Sequence, residues 1–363
     1  VKIAIVIERF ARGPGGAEFD ALQLTREFLK SGHDVTVVCR RTELPAEPGL
    51  SVVRLRVPNL WQPLRLIRFS EKARKATAEG FDIVHSFART RHQHIYRSGG
   101  GSHAEYMEQV YPRARLQRLL NPRHRAILSI EKAVFQDPTQ IIHCIARTGA
   151  DEIARRYGVP RSRLVTIYNG VDSDRFHPRL REVHRNRLRD MLNLSGPVAL
   201  FVGGGFHRKG LDRAIRGLAE TDTGADLLVV GGGAKDAARD LARQLGVERR
   251  VYFLGQRSDV EIWHAAADLL VLPTRYDPFA NVVLEGMASG LPVATTPAAG
   301  AAELITHGEN GFIFQDDFKA AFDLLKNPEQ LDEVGAAARR TAEGFTWSHH
   351  ANQLLELYEK IRT

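Results

Sequence analysis

Four short stretches of this 363-residue chain bring together side chains able to do chemistry as a group. Gly203-Gly204-Gly205-Phe206-His207-Arg208-Lys209-Gly210 sets two adjacent cations after three glycines. Arg208 can grip phosphate oxygens in a fork and Lys209 adds a point charge, so the pair suits a diphosphate; a solvated basic turn is the plainer alternative. Tyr276-Asp277-Pro278-Phe279-Ala280-Asn281-Val282-Val283-Leu284-Glu285-Gly286 holds two carboxylates eight residues apart. Pro278 suits the start of a helix with its body at 281–287. Asp277 then precedes the helix mouth and Glu285 lies one to two turns inside, while backbone N–H groups of Phe279, Ala280 and Asn281 can face a phosphate. One carboxylate can meet a sugar and the other a ribose; a capping acid plus an ordinary helical Glu is the alternative. Arg12-Gly13-Pro14-Gly15-Gly16-Ala17-Glu18 is a further phosphate candidate, although it is neither a P-loop nor G-x-G-x-x-G. The fourth stretch, 168–178, carries Asp172 and Asp174, but Asn169-Gly170 favours a hinge with local hydrogen bonds over a metal site.

Positioning these residues requires alternating strands and helices. Residues 2–7 read as a strand, 17–30 as a helix with Phe19, Leu22, Leu24 and Leu29 apolar, and 33–39 as a strand. Further strands are expected at 51–57, 83–86, 94–96 and 140–146, with a helical stretch around 131–135. The scheme repeats, with strands at 198–202, 227–230, 251–254, 269–272 and 292–295 and helices at 211–220 and 235–245. This order predicts an α/β protein of two Rossmann-like, doubly wound domains facing a cleft. Ligands then bind outside the carboxyl ends of the strands, where three Gly-rich turns fall. The boundary is expected within the charged stretch 172–195. That gives an N-terminal domain 1–175, a C-terminal domain 176–345 and a last helix, 346–363, packing back on the first domain.

Composition bounds the partners. With 43% hydrophobic and 26% charged residues the chain is globular, which excludes disordered and fibrous classes. Two cysteines, Cys39 and Cys144, make no disulfide framework and fit a reducing compartment. No apolar run approaches the roughly 18 residues of a spanning helix, and the first ten residues lack a signal-peptide layout, so a cytoplasmic protein is expected. Residues 1–180 carry 30 Lys/Arg against 18 Asp/Glu, whereas 181–363 carry 21 against 25. A basic first half suggests an anionic partner. Arg54, Arg56, Arg65, Arg68, Lys72, Arg74 and Lys75 interleave with Trp61, Leu64, Leu66 and Ile67. Arg113, Arg115, Arg118, Arg123 and Arg125 do so with Tyr111, Leu116, Leu119 and Leu120. Both runs suit an anionic membrane surface, with solvated helical faces as the alternative. No stacking-aromatic or helix-turn-helix pattern supports nucleic acid.

Taken in order, the motifs resemble the retaining glycosyltransferases of family 4, which have the GT-B fold. The resemblance spans nearly the whole chain: Gly15-Gly16-x-Glu18, Gly32-His33-Asp34-Val35, Asn169-Gly170-Val171-Asp172, Arg208-Lys209-Gly210, Ala265-Ala266-Ala267-Asp268, Asp277-x7-Glu285 and Gly290-Leu291-Pro292-Val293. Within the family, residues 206–213, Gly16-x3-Asp20, Ser173-Asp174-Arg175 and residues 131–135 resemble the glucosyltransferases of the lipopolysaccharide core. The resemblance implies transfer of a hexose, glucose or N-acetylglucosamine, from a UDP-sugar with retained configuration and no metal or other cofactor. The acceptor it implies is a lipopolysaccharide-core or other cell-envelope glycan, taken by the N-terminal domain at the cytosolic face of the inner membrane. It also implies that Gly15 and Gly16 face the donor diphosphate, that Arg208 and Lys209 hold it, and that Arg257 lies near the base. Arg175 becomes a further donor contact, Asp277 bonds sugar hydroxyls and Glu285 the ribose, and Phe279, Ala280, Asn281 and Val282 form the helix mouth. Family members usually have Glu where Asp277 stands, and often Gly in place of Ala280, which narrows the room for donor. His103, after Gly99-Gly100-Gly101-Ser102, matches a functional histidine of some members, against a plain loop histidine. Asp20 is an alternative residue near the transferred sugar. A GT-B nucleotide-sugar epimerase would not need the basic runs, and an NAD-dependent oxidoreductase should show G-x-G-x-x-G.

Overall fold

The computed structural model describes residues 1–11, 16–44, 47–59, 61–112 and 120–362. It divides into two units, one of Val1–Asn169 with Trp347–Thr363 and one of Gly170–Thr346. The strands are β1 Lys2–Phe10, β2 Asp34–Thr42, β3 Leu50–Arg54, β4 Ile83–Ser86, β5 Ile95–Arg97, β6 Ile141–Cys144 and β7 Leu164–Thr166, then β8 Val198–Val202, β9 Asp226–Val230, β10 Val251–Gly255, β11 Leu269–Leu272, β12 Val293–Thr295 and β13 Phe312–Ile313. The helices are α1 Gly16–Lys30, α2 Gln62–Ala76, α3 His103–Val110, α4 Pro122–Gln136, α5 Arg147–Tyr157, α6 Arg179–Leu192, α7 Phe206–Lys209, α8 Leu211–Glu220, α9 Lys235–Gln244, α10 Val260–Ala266, α11 Asn281–Ala288, α12 Phe318–Asp323, α13 Pro328–Ala342 and α14 Trp347–Arg362.

The first unit is a parallel sheet in the order β3-β2-β1-β4-β5-β6-β7. β1 is apolar on both faces because both are covered, as parallel sheets require. Ile3, Ile5 and Ile7 pack with Val35, Val37 and Cys39 against Leu24 and Phe28 of α1 and Leu354 and Tyr358 of α14. Ala4, Val6 and Val38 pack on the other side with Phe69 and Ala73 of α2. α14 is therefore part of the first unit's core, although it is the last element of the chain. A line of buried polar groups lies under it. His85 shares a 2.7 Å hydrogen bond with the Tyr358 hydroxyl, His143 lies 3.4 Å from His85, and His350 bonds the Tyr168 carbonyl. Burial pushes the pKa of all three histidines down, so they sit neutral.

The second unit is a parallel sheet in the order β10-β9-β8-β11-β12-β13. Along α6, Arg181, Arg185 and Arg189 recur every four residues and so share one face. All three reach the Asp268 carboxylate, at 3.2, 2.6 and 3.2 Å. The same carboxylate accepts the Val198 N–H at 2.9 Å, which fixes the start of β8. The Ala265–Asp268 motif is thus an anchor for this unit's sheet.

Four expectations need correction. The unit boundary falls at Asn169–Gly170, ahead of 175 and of the 172–195 stretch. Val171 donates to the Phe345 carbonyl at 2.8 Å, and Arg339 bonds the carbonyls of Ser173 and Phe176, which ties this segment into the second unit. β1 and β2 run several residues beyond 7 and 39, carried by their mutual pairing as far as Phe10 and Thr42. β3 stops at Arg54, and Leu55 and Val57 turn into the core below α2. The final helix begins at Trp347 rather than at residue 346 and is described to Arg362.

Candidate active site

The carboxyl ends of β8, β9 and β10 are stitched together by backbone bonds: Gly203 N–H to Val230 O at 2.9 Å, Gly205 N–H to Gly232 O at 3.0 Å and Gly231 N–H to Gly255 O at 2.8 Å. The chain leaves β8 through Gly203–Gly205 into the one-turn α7 and reaches α8 through Gly210. Gly210 has φ +78°, and a Cβ there would collide with the Pro273 carbonyl, so only glycine lets the chain turn this closely over β11. The Lys209 stem lies along Gly203, where a Cβ would stand 3.2 Å from it.

This turn delivers both cations to one carboxylate. Arg208 Nη1 donates to Asp277 Oδ2 at 2.7 Å and to the Tyr276 carbonyl at 3.1 Å, and Lys209 Nζ lies 2.6 Å from the same Oδ2. Lys209 and Asp277 are nearly buried, whereas the Arg208 side chain keeps 30% of its exposure. Burial alone would raise the Asp277 pKa, but the charges of Lys209 and then Arg208, with their hydrogen bonds, hold it well below the usual carboxylate range. Two cations on one anion leave a net positive charge at the mouth of α11.

The backbone around Asp277 is fixed as firmly. Its N–H donates to Ala298 O at 2.9 Å, its carbonyl accepts Gly300 N–H at 2.9 Å, and its Oδ1 accepts Phe279 N–H at 3.3 Å. Phe279 O accepts Ala301 N–H at 2.7 Å. Ala280, the residue before α11, has φ +67°. Apart from Asn193 it is the only non-glycine at positive φ among the described residues. α11 begins at Asn281, with Val282 buried and Glu285 half-buried one turn in. The sequence therefore placed helix and carboxylates correctly, and Ala280 takes up the backbone shape a glycine would adopt more readily.

Other expected donor contacts are held by acids of their own. Arg257 forks onto Asp259 with two bonds of 2.9 Å and lies 5.2 Å over the Trp263 ring. Arg175 donates to Glu261 at 3.0 and 2.7 Å and to Ser258 O at 2.9 Å. Both arginines are thus gathered around the start of α10. Sequence reasoning missed Arg275, which forks onto Asp212 at 2.8 and 2.6 Å and donates to His207 O, while its N–H donates to Arg208 O. Its position between the two motifs was the available signal.

In the first unit Gly15 lies outside the described residues, and Gly16 is the exposed first residue of α1. Asp20 is not open to a ligand: it is 2% exposed, paired with Arg97, and accepts from Asn169 at 3.4 Å. Arg97 also donates to Asn169 Oδ1 at 2.9 Å and fills the space beside Gly99. His103 is no loop residue but the first residue of α3, capped by Ser102. Its Nε2 shares a 2.8 Å hydrogen bond with His124 Nδ1, and its N–H donates to Glu131 at 2.6 Å. Burial and the nearby Arg89 push its pKa down to about 3. Glu131, itself pushed up by burial, accepts also from the Tyr157 hydroxyl at 2.7 Å.

Comparison with known proteins decides between the families this geometry allows. A family model described as Glycosyltransferase Family 4 matches residues 14–175, and one described as Glycosyl transferases group 1 matches residues 196–326. The lipopolysaccharide glucosyltransferase WaaG of Escherichia coli strain K12 is 28% identical over 351 residues, covering 93% of this chain and 90% of that protein. The chain is a glycosyltransferase. A crystal structure of WaaG, described as a glycosyltransferase involved in lipopolysaccharide biosynthesis, superimposes on this glycosyltransferase with a TM-score of 0.85 at 23% identity, over 98% of this chain and 99% of that one. That likeness establishes the GT-B fold for both sheets. Anabaena Alr3699/HepE, solved in complex with UDP-glucose, superimposes with a TM-score of 0.75 at 19% identity over 99% of each chain. In the second unit of this glycosyltransferase Arg208 and Lys209 converge on Asp277 just ahead of α11, the helix that carries Glu285, and Arg175 and Arg257 lie beside α10.

Proposed function

We propose that this glycosyltransferase moves a hexose, glucose or N-acetylglucosamine, from a UDP-sugar to a lipopolysaccharide-core or other cell-envelope glycan with retention of configuration. The observation that carries the reading is the convergence of Arg208 and Lys209 on Asp277 at the mouth of α11, a site with surplus positive charge. The solved UDP-glucose complex of Anabaena Alr3699/HepE and the family 4 relatives support a UDP-sugar as donor. Arg208, Lys209 and the backbone N–H groups of Ala280, Asn281 and Val282 stabilise the diphosphate as the C1–O bond to UDP breaks, while the Phe279 N–H holds Asp277. The family motif implies that Gly15 and Gly16 also serve the donor diphosphate. Asp277 bonds sugar hydroxyls and Glu285 the ribose, with Arg257 at the base and Arg175 as a further donor contact. The acceptor oxygen bonds C1 on the face that UDP leaves, and its proton passes to a phosphate oxygen of UDP. The protein then needs no nucleophile, and the two cations do the work a metal ion does elsewhere.

The same reading places the enzyme on the cytosolic face of the inner membrane. Among the described residues no helix is long and apolar enough to cross a bilayer. α2 instead shows solvent a face with Trp61 just ahead of it, Leu64 and Ile67, followed by Arg68, Lys72 and Lys75. That order suits apolar insertion beside anionic headgroups. Arg113, Arg115 and Arg118 of the second basic run lie outside the described residues; Arg123 and Arg125 are exposed. The function is tested by UDP release from UDP-glucose and UDP-N-acetylglucosamine, with and without lipopolysaccharide-core acceptor. Acceptor-stimulated release with one donor supports it; release of free epimerised sugar would replace it with the epimerase reading.

A further inference from the structure

We infer that the carboxyl edge of β1, β2 and β3 is an anion subsite that grips a phosphate carried by the acceptor glycan, through Arg41 and Arg54 with Arg9 beside them. The glycan in this statement rests on the acceptor proposed above; the anion binding does not.

Register puts these side chains on one face. Ile7 pairs with Cys39 and Arg9 with Arg41 across β1 and β2, and Cys39 pairs with Arg54 across β2 and β3. Strand side chains repeat every two residues, so Arg9, Arg41 and Arg54 share the face of Ile7 and Cys39. Like charges in register repel, and a sheet tolerates them poorly without counter-charge. The counter-charge here is incomplete. Glu43 forks onto Arg9 at 3.0 and 3.1 Å, and both are exposed. Arg41 and Arg54 are exposed and have no ion-pair partner among the described residues. The neighbouring acids are taken. Glu8, on the opposite face, lies 3.2 Å from Arg40 and 2.9 Å from Arg65, and Glu47 lies 2.6 Å from Arg26.

A conflict of this kind persists where function requires it. Its place is the edge of the sheet at which doubly wound folds bind ligands. Two unpaired guanidinium groups offer the forked donors that phosphate and carboxylate match. A bilayer suits this edge less well, because the exposed apolar residues of α2 belong to the helix covering the other face of the sheet.

The test uses the full-length protein and its Arg41→Ala/Arg54→Ala variant. Both side chains are exposed, so the variant should fold, and Arg41→Lys/Arg54→Lys serves as a second variant that keeps charge but loses the fork. Inorganic phosphate is titrated while the arginine Nε–H signals are followed by NMR. The inference expects shifts at Arg41 and Arg54 that vanish in the alanine variant; no shift at these two signals would overturn it. In a second arm the acceptor is core oligosaccharide freed of lipid, with its phosphates intact or removed. The alanine variant should raise the acceptor KM by about tenfold or more for the phosphorylated form and leave the dephosphorylated form at the wild-type value, with the lysine variant between. An equal rise for both forms would contradict the inference. A third arm measures binding to phosphatidylglycerol vesicles. A loss there with unchanged phosphorylated-acceptor KM assigns the edge to lipid headgroups and overturns the inference. If wild type transfers to neither oligosaccharide, the acceptor proposal falls, and the phosphate titration alone decides the subsite.

Discussion

At the scale of single residues, the site is a charge balance with one anion between two cations. Lys209 is nearly buried and its stem is shaped by Gly203, so it cannot be replaced by a solvent-held charge. Lys209→Ala should lower kcat about 100-fold or more while the fold survives, because a preorganised donor to the leaving diphosphate is lost. Steady-state UDP release with circular dichroism on the same sample checks it, and wild-type turnover would remove Lys209 from the assignment. Asp277 has its pKa held down, so it is ionised at every ordinary assay pH; its contribution to stability is present above the unfolded value near 4 and fades only as pH falls toward the lower folded value. Ala280 gives a prediction of opposite sign. At φ +67° an alanine carries a steric cost that glycine avoids, so Ala280→Gly should stabilise the second unit by about 1 kcal/mol, read from denaturant unfolding. A loss of stability would show that its backbone shape is not strained.

At the scale of elements, α14 and the buried histidines beneath it make the first unit acid-sensitive. His85, His143 and His350 have folded pKa values below the ordinary 6.5, so the unfolded chain takes up protons first as pH falls. Stability is then full above about pH 6.5 and declines below it, by up to about 1.4 kcal/mol per pH unit per histidine, and for His350 down to about pH 3. Thermal unfolding at pH 7 and pH 5 should show the drop, and His350→Asn should shrink it; a Tm independent of pH over this range would contradict the account. Most elements were legible from the sequence, because strands such as 198–202 are short apolar runs between glycines and helices such as 211–220 repeat with clear periodicity. The C-terminal segment was legible as a helix, but its place under α1 is set by burial of Trp347, Leu354 and Tyr358. Three kinds of feature were not legible. The linker's membership in the second unit depends on hydrogen bonds to residues more than 160 positions away. Asp20 reads as a site acid until Arg97 folds onto it. The His103–His124 pair joins residues 21 apart through the packing of α3 on α4, which no local pattern announces.

At the scale of the whole molecule, charge is divided by task. The basic surplus lies in the first half of the chain, on α2 and on the edge of β1 to β3, while the second half, acidic in sum, still presents Arg208 and Lys209 at the proposed donor site. Surface charge of this sort is screened by salt, so binding to anionic vesicles should weaken several-fold between about 0.05 and 0.5 M salt, and Trp61→Ala with Lys72→Ala should weaken it further at low salt. Sedimentation with phosphatidylglycerol vesicles measures this, and equal binding to neutral vesicles would contradict it. The central claim is more direct: a UDP-sugar is bound through Arg208, Lys209 and Asp277 and its hexose passes to a core glycan. The measurement that tests it is UDP release across a panel of nucleotide sugars, with and without lipopolysaccharide-core acceptor, for wild type and Lys209→Ala. The account predicts release from one UDP-hexose that rises with acceptor and collapses in the variant. Release that ignores acceptor, or survives Lys209→Ala, would contradict it.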